Sequence, residues 1–317
     1  MSTALIFPGQ GSQAIGMAQA LAESFTEARD VLAEVDEALS FKLSTLMKDG
    51  PEADLTATQN AQPAIMAASL AAFRVMEKQM GFSLPGGAAY VAGHSLGEYS
   101  ALTAAGSLSV AEAARLLRTR GEAMQAAVPA GQGGMVAVIG PDLAAVEAIV
   151  AEARTRAPAG EVIEIANHNS TNQIVLSGSA KGMEIAIEVA KEKGAKRALP
   201  LAVSAPFHCS LMAPAAKVME AALAASNLRA PSVPLIANVT ADQVREAATI
   251  KTLLVEQVTG MVRWVYSVER MKALGVTRML EIGHGNVLAG LVKRIAPEIA
   301  VTSIGSPADL EGWSQAA

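Results

Sequence analysis

A serine between two glycines, Ser95, is the residue whose type and spacing are best suited to chemistry. Residues 88–92 have the composition of a short buried strand, and residues 98–105 have that of a helix. The sequence Gly-X-Ser-X-Gly at a strand-to-helix turn displays a serine nucleophile in α/β enzymes. Glycine is needed on both sides because the serine backbone is strained there and neighbouring chain lies close. We therefore predict that Ser95 is a nucleophile rather than part of an ordinary turn.

A serine attacks an acyl carbon only when a base takes its proton, and histidine suits that task near neutral pH. The chain has four histidines. His94 directly precedes Ser95, and we expect its side chain to point away from the hydroxyl. His168 lies in a polar Asn-His-Asn segment, for which we expect a surface position. His208 and His284 remain as candidate bases.

The two candidate bases imply different enzymes. Ser95, Asp242 and His284 follow the chain order of the α/β-hydrolase triad, which would make the protein a serine esterase or thioesterase. Between Ser95 and His208 the only aspartate is Asp142, which we expect to cap the N-terminus of a helix. A pair of Ser95 and His208 would therefore need a backbone or amide carbonyl to orient the imidazole.

An arginine on a helix indicates an acidic substrate. Ser109 and Glu112 form a capping box that starts this helix and fixes its faces. Arg120 shares its face with two leucines and a methionine, whereas Arg115 and Arg118 reach solvent more easily. A buried guanidinium needs an anion, and its planar group binds a carboxylate through two parallel hydrogen bonds. The alternatives are that Arg120 extends to the surface or pairs with a glutamate in the core.

Composition excludes several classes of protein. The 317 residues can bury a large core, and no apolar run approaches the roughly 20 residues of a transmembrane helix. A net charge of -5 argues against a nucleic-acid binder. Cys209 is the single cysteine, and the histidines have no paired spacing, so we expect no disulfide and no metal. Without a visible secretory signal, a cytoplasmic protein is expected.

Periodicity predicts an α/β fold in which a smaller unit interrupts a larger one. The larger unit contains strands at 4–7, 88–92, 235–237 and 278–282 and a buried helix at 63–80. The smaller unit has the order βαββαβ of ferredoxin-like folds. Its strands are predicted at 135–139, 162–166, 173–177 and 196–201, and its helices at 143–154 and 180–193. The predicted architecture is a hydrolase-like parallel-sheet domain, residues 1–129 and 200–317, with an inserted ferredoxin-like subdomain, residues 130–199.

Four motifs in order identify a resemblance that covers residues 4 to 292. They are Phe-Pro-Gly-Gln-Gly-Ser-Gln at 7–13, Gly-His-Ser-Leu-Gly-Glu at 93–98, Arg120 before a glycine, and Ala-Pro-Phe-His at 205–208. Together they resemble the malonyl-CoA:acyl carrier protein transacylases. The resemblance implies that Ser95 is the nucleophile, His208 its base and Arg120 the partner of the malonyl carboxylate. It also implies that Gln257 helps to hold the histidine in place of a triad aspartate, the alternative being an ordinary exposed helix residue.

The resemblance further implies an oxyanion site made by the backbone N–H groups of Gln10 and Leu96. Leu96 follows the serine at a helix N-terminus, where amides favour negative charge. Asn169 and Asn238 also lie in family-like loops, with no role assigned. Phe207, beside the base, is a candidate selector of the acyl group.

The implied reaction has two steps and serves fatty acid or polyketide synthesis. Malonyl-CoA acylates the serine, and the phosphopantetheine thiol of acyl carrier protein then takes the malonyl group. The coenzyme A thioester is a substrate, so no cofactor is expected, and a monomer is the default. An acidic carrier would need a basic docking patch on this chain. Lys191, Lys193, Lys196 and Arg197 could supply it, or could simply be a solvated helix end.

One segment departs from the family pattern, because His284 stands where the family's Gly-Pro-Gly turn has proline. This keeps the hydrolase alternative open. A third alternative is a carrier-binding scaffold that has lost catalysis. The presence of Ser95, His208, Arg120 and Gln257 together argues against it.

Overall fold

The computed structural model describes residues 2–316. Over this range the strands are β1 (Ser2–Phe7), β2 (Tyr90–Gly93), β3 (Gly133–Ile139), β4 (Ile163–Ser170), β5 (Gln173–Ser179), β6 (Arg197–Pro200), β7 (Leu235–Ile236), β8 (Gln243–Val244), β9 (Val276–Ile282) and β10 (Ala300–Ile304). The helices are α1 (Gln19–Ser24), α2 (Thr26–Leu39), α3 (Leu43–Asp49), α4 (Glu52–Thr56), α5 (Thr58–Gln79), α6 (Gly97–Ala104), α7 (Val110–Ala127), α8 (Leu143–Arg156), α9 (Ala180–Glu192), α10 (Ala213–Ala225), α11 (Ala247–Thr259), α12 (Trp264–Ala273), α13 (Val287–Ile295) and α14 (Pro307–Ala316).

The protein is an α/β fold built on a mostly parallel sheet. Its strand order is β10-β9-β1-β2-β7-β8, and only the short edge strand β8 runs antiparallel. Leu5 and Phe7 of β1 face one apolar cluster, and Ala4 and Ile6 face another. A strand buried on both faces reads as a continuous apolar run, which is why β1 is visible in the sequence. Parallel strands end at the same edge, so the loops after β1 and β2 lie side by side.

Helix α5 begins at Thr58, although the sequence predicted a helix from residue 63. Proline lacks the N–H that would donate to the carbonyl four residues earlier, so a proline is typical of the first turn of a helix. For this reason the predicted helix began at Pro63. In the structure Pro63 lies inside the helix, and the carbonyl of Gln59 accepts a hydrogen bond from Arg118 at 3.5 Å instead. The added turn matters because it brings Gln62 to the centre of the protein, where it is 1% exposed.

A second, smaller sheet is antiparallel, with the order β4-β5-β3-β6. The chain passes through its elements in the order β3-α8-β4-β5-α9-β6. An apolar cluster separate from the two beside the large sheet lies between this sheet and its helices, and includes Val138, Ile149, Leu176 and Val189. Each sheet therefore has its own core.

The small sheet is also joined to the remainder of the protein by backbone hydrogen bonds. The N–H of Val262 donates to the carbonyl of Ala166, and the N–H of His168 donates to the carbonyl of Val262. Strand β4 therefore continues to Ser170, beyond the predicted end at residue 166. The predicted strand ended too early because the polar residues after Ala166 are typical of a loop.

The C-terminal elements were not predicted as regular structure. Strand β10 pairs with β9, and α14 follows it. Trp313 packs edge-on against Phe82 at 5.8 Å between ring centroids. This contact packs α14 against Phe82, which belongs to one of the apolar clusters beside the large sheet. Over residues 2–316 no helix combines the length and apolar character that crossing a membrane requires.

Candidate active site

Ser95 lies in a sharp turn between β2 and α6. Its φ of 52° is in the left-handed region, which is strained for a serine. A Cβ at Gly93 would lie 2.0 Å from the carbonyl group of Gly97, and one at Gly97 would lie 2.3 Å from the oxygen of Phe7. Neither position can hold a side chain. The glycines therefore allow the turn to close against the end of β1, as the sequence predicted.

The Ser95 hydroxyl faces His208, with 2.8 Å between Oγ and Nε2. His208 is 4% exposed. Its φ of 58° is in the left-handed region, so both Ser95 and His208 have a left-handed backbone conformation. Its Nδ1 lies 2.8 Å from the backbone carbonyl of Gln257. A carbonyl only accepts, so Nδ1 carries the proton and Nε2 is free to accept one from the serine. A carbonyl thus stands where a triad would have an aspartate.

The environment of His208 strongly favours the neutral imidazole. Burial, followed by the positive charge of Arg120, lowers the pKa of His208 from 6.5 to about 3, against the opposing effect of the Gln257 carbonyl. The imidazole is therefore unprotonated at neutral pH and can accept a proton from Ser95.

Arg120 completes the group around the hydroxyl. The capping box of Ser109 and Glu112 starts α7, as predicted. Arg120 lies on the buried face of this helix and is only 1% exposed. The Nη2 atom donates to Ser95 Oγ at 3.0 Å and to Gln257 Oε1 at 2.9 Å. Nη1 donates to Gln62 Oε1 at 2.7 Å. Within the described chain, the guanidinium has no carboxylate within ion-pair distance and its Nε has no hydrogen-bond acceptor.

Gln257 is fully buried on α11, which excludes the alternative of an exposed helix residue. Its side-chain amide contacts Arg120 through Oε1, and its Nε2 donates to the backbone carbonyl of Ser95 at 3.0 Å. Its backbone carbonyl, not its side chain, contacts His208. Sequence reasoning assigned the contact to the residue but did not identify the atom.

Two further residues that sequence reasoning left without a role join this group. Asn238 Oδ1 accepts the N–H of Ser95 at 2.8 Å, and its Nδ2 donates to the carbonyl of Gly93 at 2.7 Å. Glu98 accepts the backbone N–H of Asn238 at 2.6 Å and a hydrogen bond from Gln257 Nε2. The signal for Glu98 was available, since it is the one charged residue among the apolar residues of α6. A buried carboxyl in such a helix needs hydrogen-bond donors.

The predicted oxyanion donors lie beside the hydroxyl. Gln10, in the loop after β1, and Leu96, directly after Ser95, both line the cavity that contains Ser95. No acceptor for either N–H occurs in residues 2–316. At Gly9 a Cβ would lie 2.6 Å from the carbonyl oxygen of His94, so the two loops touch. Their amides are therefore available to an added negative oxygen.

His94 points away from Ser95, as predicted. Its Nε2 lies 2.8 Å from Asn169 Oδ1, and its ring packs against Trp264 at 5.8 Å between centroids. The surface position expected for His168 is wrong. Because β4 extends past it, His168 is 5% exposed and packs edge-on against Tyr266.

The hydrolase triad is not assembled. Asp242 lies at the surface, where its carboxylate accepts from Arg270 Nε at 2.8 Å. The Ser95 hydroxyl bonds His208, and His284 is absent from the residues that line the cavity around it. Asp142 caps α8 through the N–H of Ala145 at 2.9 Å, as expected. Ser95, Asp242 and His284 therefore match the triad in their order along the chain but do not form a triad in space.

The cavity above Ser95 has a volume of about 310 Å³. Ser95, Arg120 and His208 line it, and residues of the small sheet, such as Met135 and Val175, add apolar surface. Phe207 also lines it. A cavity of this size that is lined by apolar side chains and a cationic one fits a short acyl group that ends in an anion.

The predicted docking residues are absent from the cavity lining and lie at the end of α9, in the turn that follows it and at the start of β6. All four are exposed, and Lys193 forms an ion pair with Glu152. The complete set is Lys191, Lys193, Lys196 and Arg197.

Comparisons with known proteins agree with the motifs. The acyl transferase domain family matches residues 4–298. The malonyl CoA-acyl carrier protein transacylase of Bacillus subtilis is 45% identical over 308 residues, which cover 97% of this chain and 95% of that protein. The crystal structure of acyl-carrier-protein-S-malonyltransferase from Bartonella henselae is 51% identical, with a TM-score of 0.96 and coverage of 100% of this chain and 99% of that one.

A solved complex of a type II PKS acyl-carrier protein with its malonyl-transacylase is also similar. It is 39% identical with a TM-score of 0.95, and each chain is covered in full, at 100%. The similarity thus extends over the whole length, including both sheets and every element that positions Ser95. The chain belongs to the acyl transferase domain family, in the group of the malonyl CoA-acyl carrier protein transacylases.

Proposed function

We propose that this protein transfers a malonyl group from malonyl-CoA to the phosphopantetheine thiol of an acyl carrier protein, through a malonyl ester of Ser95. One observation carries the proposal: the Ser95 hydroxyl lies within hydrogen-bond distance of both a neutral histidine and a buried arginine that has no carboxylate partner among residues 2–316. Family membership independently supports the same substrates.

In the first step, Nε2 of His208 takes the proton of Ser95 as Oγ attacks the thioester carbonyl of malonyl-CoA. The carbonyl oxygen becomes negative, and the N–H groups of Gln10 and Leu96 stabilise it. The carbon–sulfur bond then breaks, and coenzyme A leaves with the proton that His208 returns.

In the second step, the pantetheine thiol of the carrier protein gives its proton to His208 and attacks the malonyl ester. The ester bond to Ser95 breaks, and Oγ recovers a proton from the imidazole. Such a double displacement follows ping-pong kinetics. The nucleophile, proton carrier and oxyanion donors all come from the chain, so we propose no cofactor beyond the coenzyme A thioester itself.

Arg120 accounts for the choice of acyl group. The malonyl carboxylate supplies the anion that the guanidinium lacks, whereas acetyl would leave the buried charge unpaired. A site built for a polar partner can reject an analogue without it by roughly ten-thousandfold. Phe207 narrows the cavity beside His208 and is proposed to limit substituents on the malonyl carbon.

We also propose that residues 130–199 form a ferredoxin-like subdomain inserted into the hydrolase-like domain of residues 1–129 and 200–317. Its separate apolar cluster and the order β3-α8-β4-β5-α9-β6 support this division.

The proposed carrier docking site is the basic patch that runs from the end of α9 to the start of β6, at Lys191, Lys193, Lys196 and Arg197. Acidic carriers would be attracted to it through long-range electrostatics. Neutralising the four residues should raise KM for the carrier protein and leave KM for malonyl-CoA unchanged. An unchanged KM for the carrier would remove the patch from the account.

The transfer itself is tested by following the mass of a carrier protein mixed with the enzyme and malonyl-CoA. Carrier that bears phosphopantetheine should gain a malonyl group, and carrier without it should not. Release of free malonate with no malonyl carrier formed would favour a thioesterase instead.

A further inference from the structure

The hydrogen bonds around Gln257 fix which way its side-chain amide faces. Arg120 Nη2 can only donate, so it faces Oε1 of Gln257 at 2.9 Å. The carbonyl of Ser95 can only accept, so it faces Nε2 at 3.0 Å. Glu98 Oε2 accepts from the same Nε2, and so does Asn238 Oδ1 at 3.3 Å. The four contacts agree on a single orientation of the amide.

Glu98 also holds the other side of the turn. Its Oε1 accepts the backbone N–H of Asn238 at 2.6 Å, and Asn238 in turn accepts the N–H of Ser95. The two groups that face Glu98 are both N–H donors, and the residue is 2% exposed. Its oxygens are therefore acceptors for both neighbours whether or not the carboxyl is ionised.

We propose that Glu98 is a positioning residue for malonyl selectivity: it fixes the Gln257 amide so that Oε1 faces Arg120 and orients the guanidinium toward the acyl group. The inference rests on the proposed function. Glu98 does not touch the substrate in this account. It acts through Gln257, whose neutral oxygen orients Arg120 without neutralising it, so the positive charge stays available to the malonyl carboxylate.

The charge of Glu98 does not replace that carboxylate. No oxygen of Glu98 lies within 4.0 Å of a guanidinium nitrogen of Arg120 in the described chain, and Gln257 stands between the two side chains. Burial raises the pKa of Glu98 to about 8, while the bonds from Asn238 and Gln257 and the charge of Arg120 lower it. The Glu98 carboxyl thus acts mainly by accepting hydrogen bonds from Asn238 and Gln257, and not by neutralising the charge of Arg120.

The variant Glu98→Gln keeps the size of the side chain and replaces one acceptor with a donor. Both neighbours donate, so the new NH2 group faces an N–H whichever way it turns, and one contact is lost. Glu98→Asp keeps a carboxyl but moves it by one methylene. The matched control is Glu281→Gln, which alters a fully buried carboxyl that accepts the N–H groups of Leu288 and Ala289.

The measurement is the rate of Ser95 acylation with malonyl-CoA divided by the rate with acetyl-CoA. We expect Glu98→Gln to lower this ratio by about tenfold or more, the effect of about 1.4 kcal/mol. Glu98→Asp should lower it less, and Glu281→Gln should reduce thermal stability without moving the ratio. A purely structural role would slow both acylations equally.

A wild-type ratio in Glu98→Gln would overturn the inference. If that variant does not fold, a wild-type ratio in Glu98→Asp would do so. Failure of the proposed function is a separate result, because the wild-type protein would then form no malonyl ester.

Discussion

At the scale of single residues, the site depends on the Ser95 hydroxyl and on the two side chains that contact its oxygen. The Ser95 hydroxyl contacts His208 at 2.8 Å and Arg120 at 3.0 Å. Both partners are buried, so each acts on the hydroxyl with little screening by water. Burial keeps the imidazole neutral, and the positive charge that prepares the site for an anion acts in the same direction.

This coupling predicts how acylation depends on pH. His208 is a base only when neutral, and its pKa of about 3 lies below the usual 6.5. The neutral form therefore persists as pH falls below 6.5, and it is lost only as pH approaches the lowered value. Single-turnover acylation of Ser95 by acetyl-CoA should stay constant from about pH 8 to about pH 5. An acid limb with a midpoint near 6.5 would contradict the assignment.

Arg120→Ala provides the control for this profile. Removing the guanidinium removes one of the causes that lower the pKa of His208, so the acid limb should move to higher pH. Acetyl-CoA is the appropriate substrate because it has no carboxylate for Arg120 to bind.

The sequence identified most of these residues by type and spacing. Ser95 was visible from its glycines, and Arg120 from the face of α7 set by the capping box. The base was not determined by the residues alone, since His208 and His284 both remained possible until the resemblance was considered. Choosing between them requires distances across loops far apart in the chain, which periodicity does not contain.

At the scale of elements, the turn after β2 requires glycine because backbone lies against it at two positions. Gly97 lies against Gly93, and Phe7 lies against Gly97. In Gly93→Ala the new Cβ would lie 2.0 Å from the Gly97 carbonyl group, and backbone cannot move aside cheaply. We expect the free energy of unfolding to fall by about 3 kcal/mol or more. Urea denaturation followed by circular dichroism measures this change.

Gly290→Ala is the matched control for that substitution. Gly290 lies inside α13, and apart from its chain neighbours and the nearby backbone of its own helix, no atom of residues 2–316 would lie within 4 Å of an added Cβ. Alanine is favoured over glycine in a helix interior, so the variant should gain about 0.5–1 kcal/mol. If the two variants had the same stability, close approach would not explain the glycine at position 93.

Element boundaries were harder to predict than element types. Helix α5 and strand β4 both extend beyond their predicted limits, past Pro63 and through His168. In each case a contact with another part of the chain compensates for a locally unfavourable residue: Arg118 bonds the carbonyl released by Pro63, and Val262 pairs with β4. A local pattern does not show such partners.

At the scale of the whole molecule, the small sheet is fixed to the large one around the cavity. His94 bonds Asn169 at 2.8 Å, directly beside Ser95. On the other side, Glu164 accepts the N–H of Ser210 at 3.0 Å, just beyond His208. Both residues of the pair are thus flanked by hydrogen bonds to β4, and the small sheet contributes residues to the lining of the cavity that contains Ser95.

The most direct test of the central claim is the intact mass of the protein after brief mixing with malonyl-CoA or acetyl-CoA. Wild type should form a malonyl adduct in strong preference to an acetyl adduct, and Ser95→Ala should form neither. Arg120→Ala should still be acylated but should lose the preference for malonyl. Malonyl preference that survives in Arg120→Ala, or an adduct that survives in Ser95→Ala, would contradict the account.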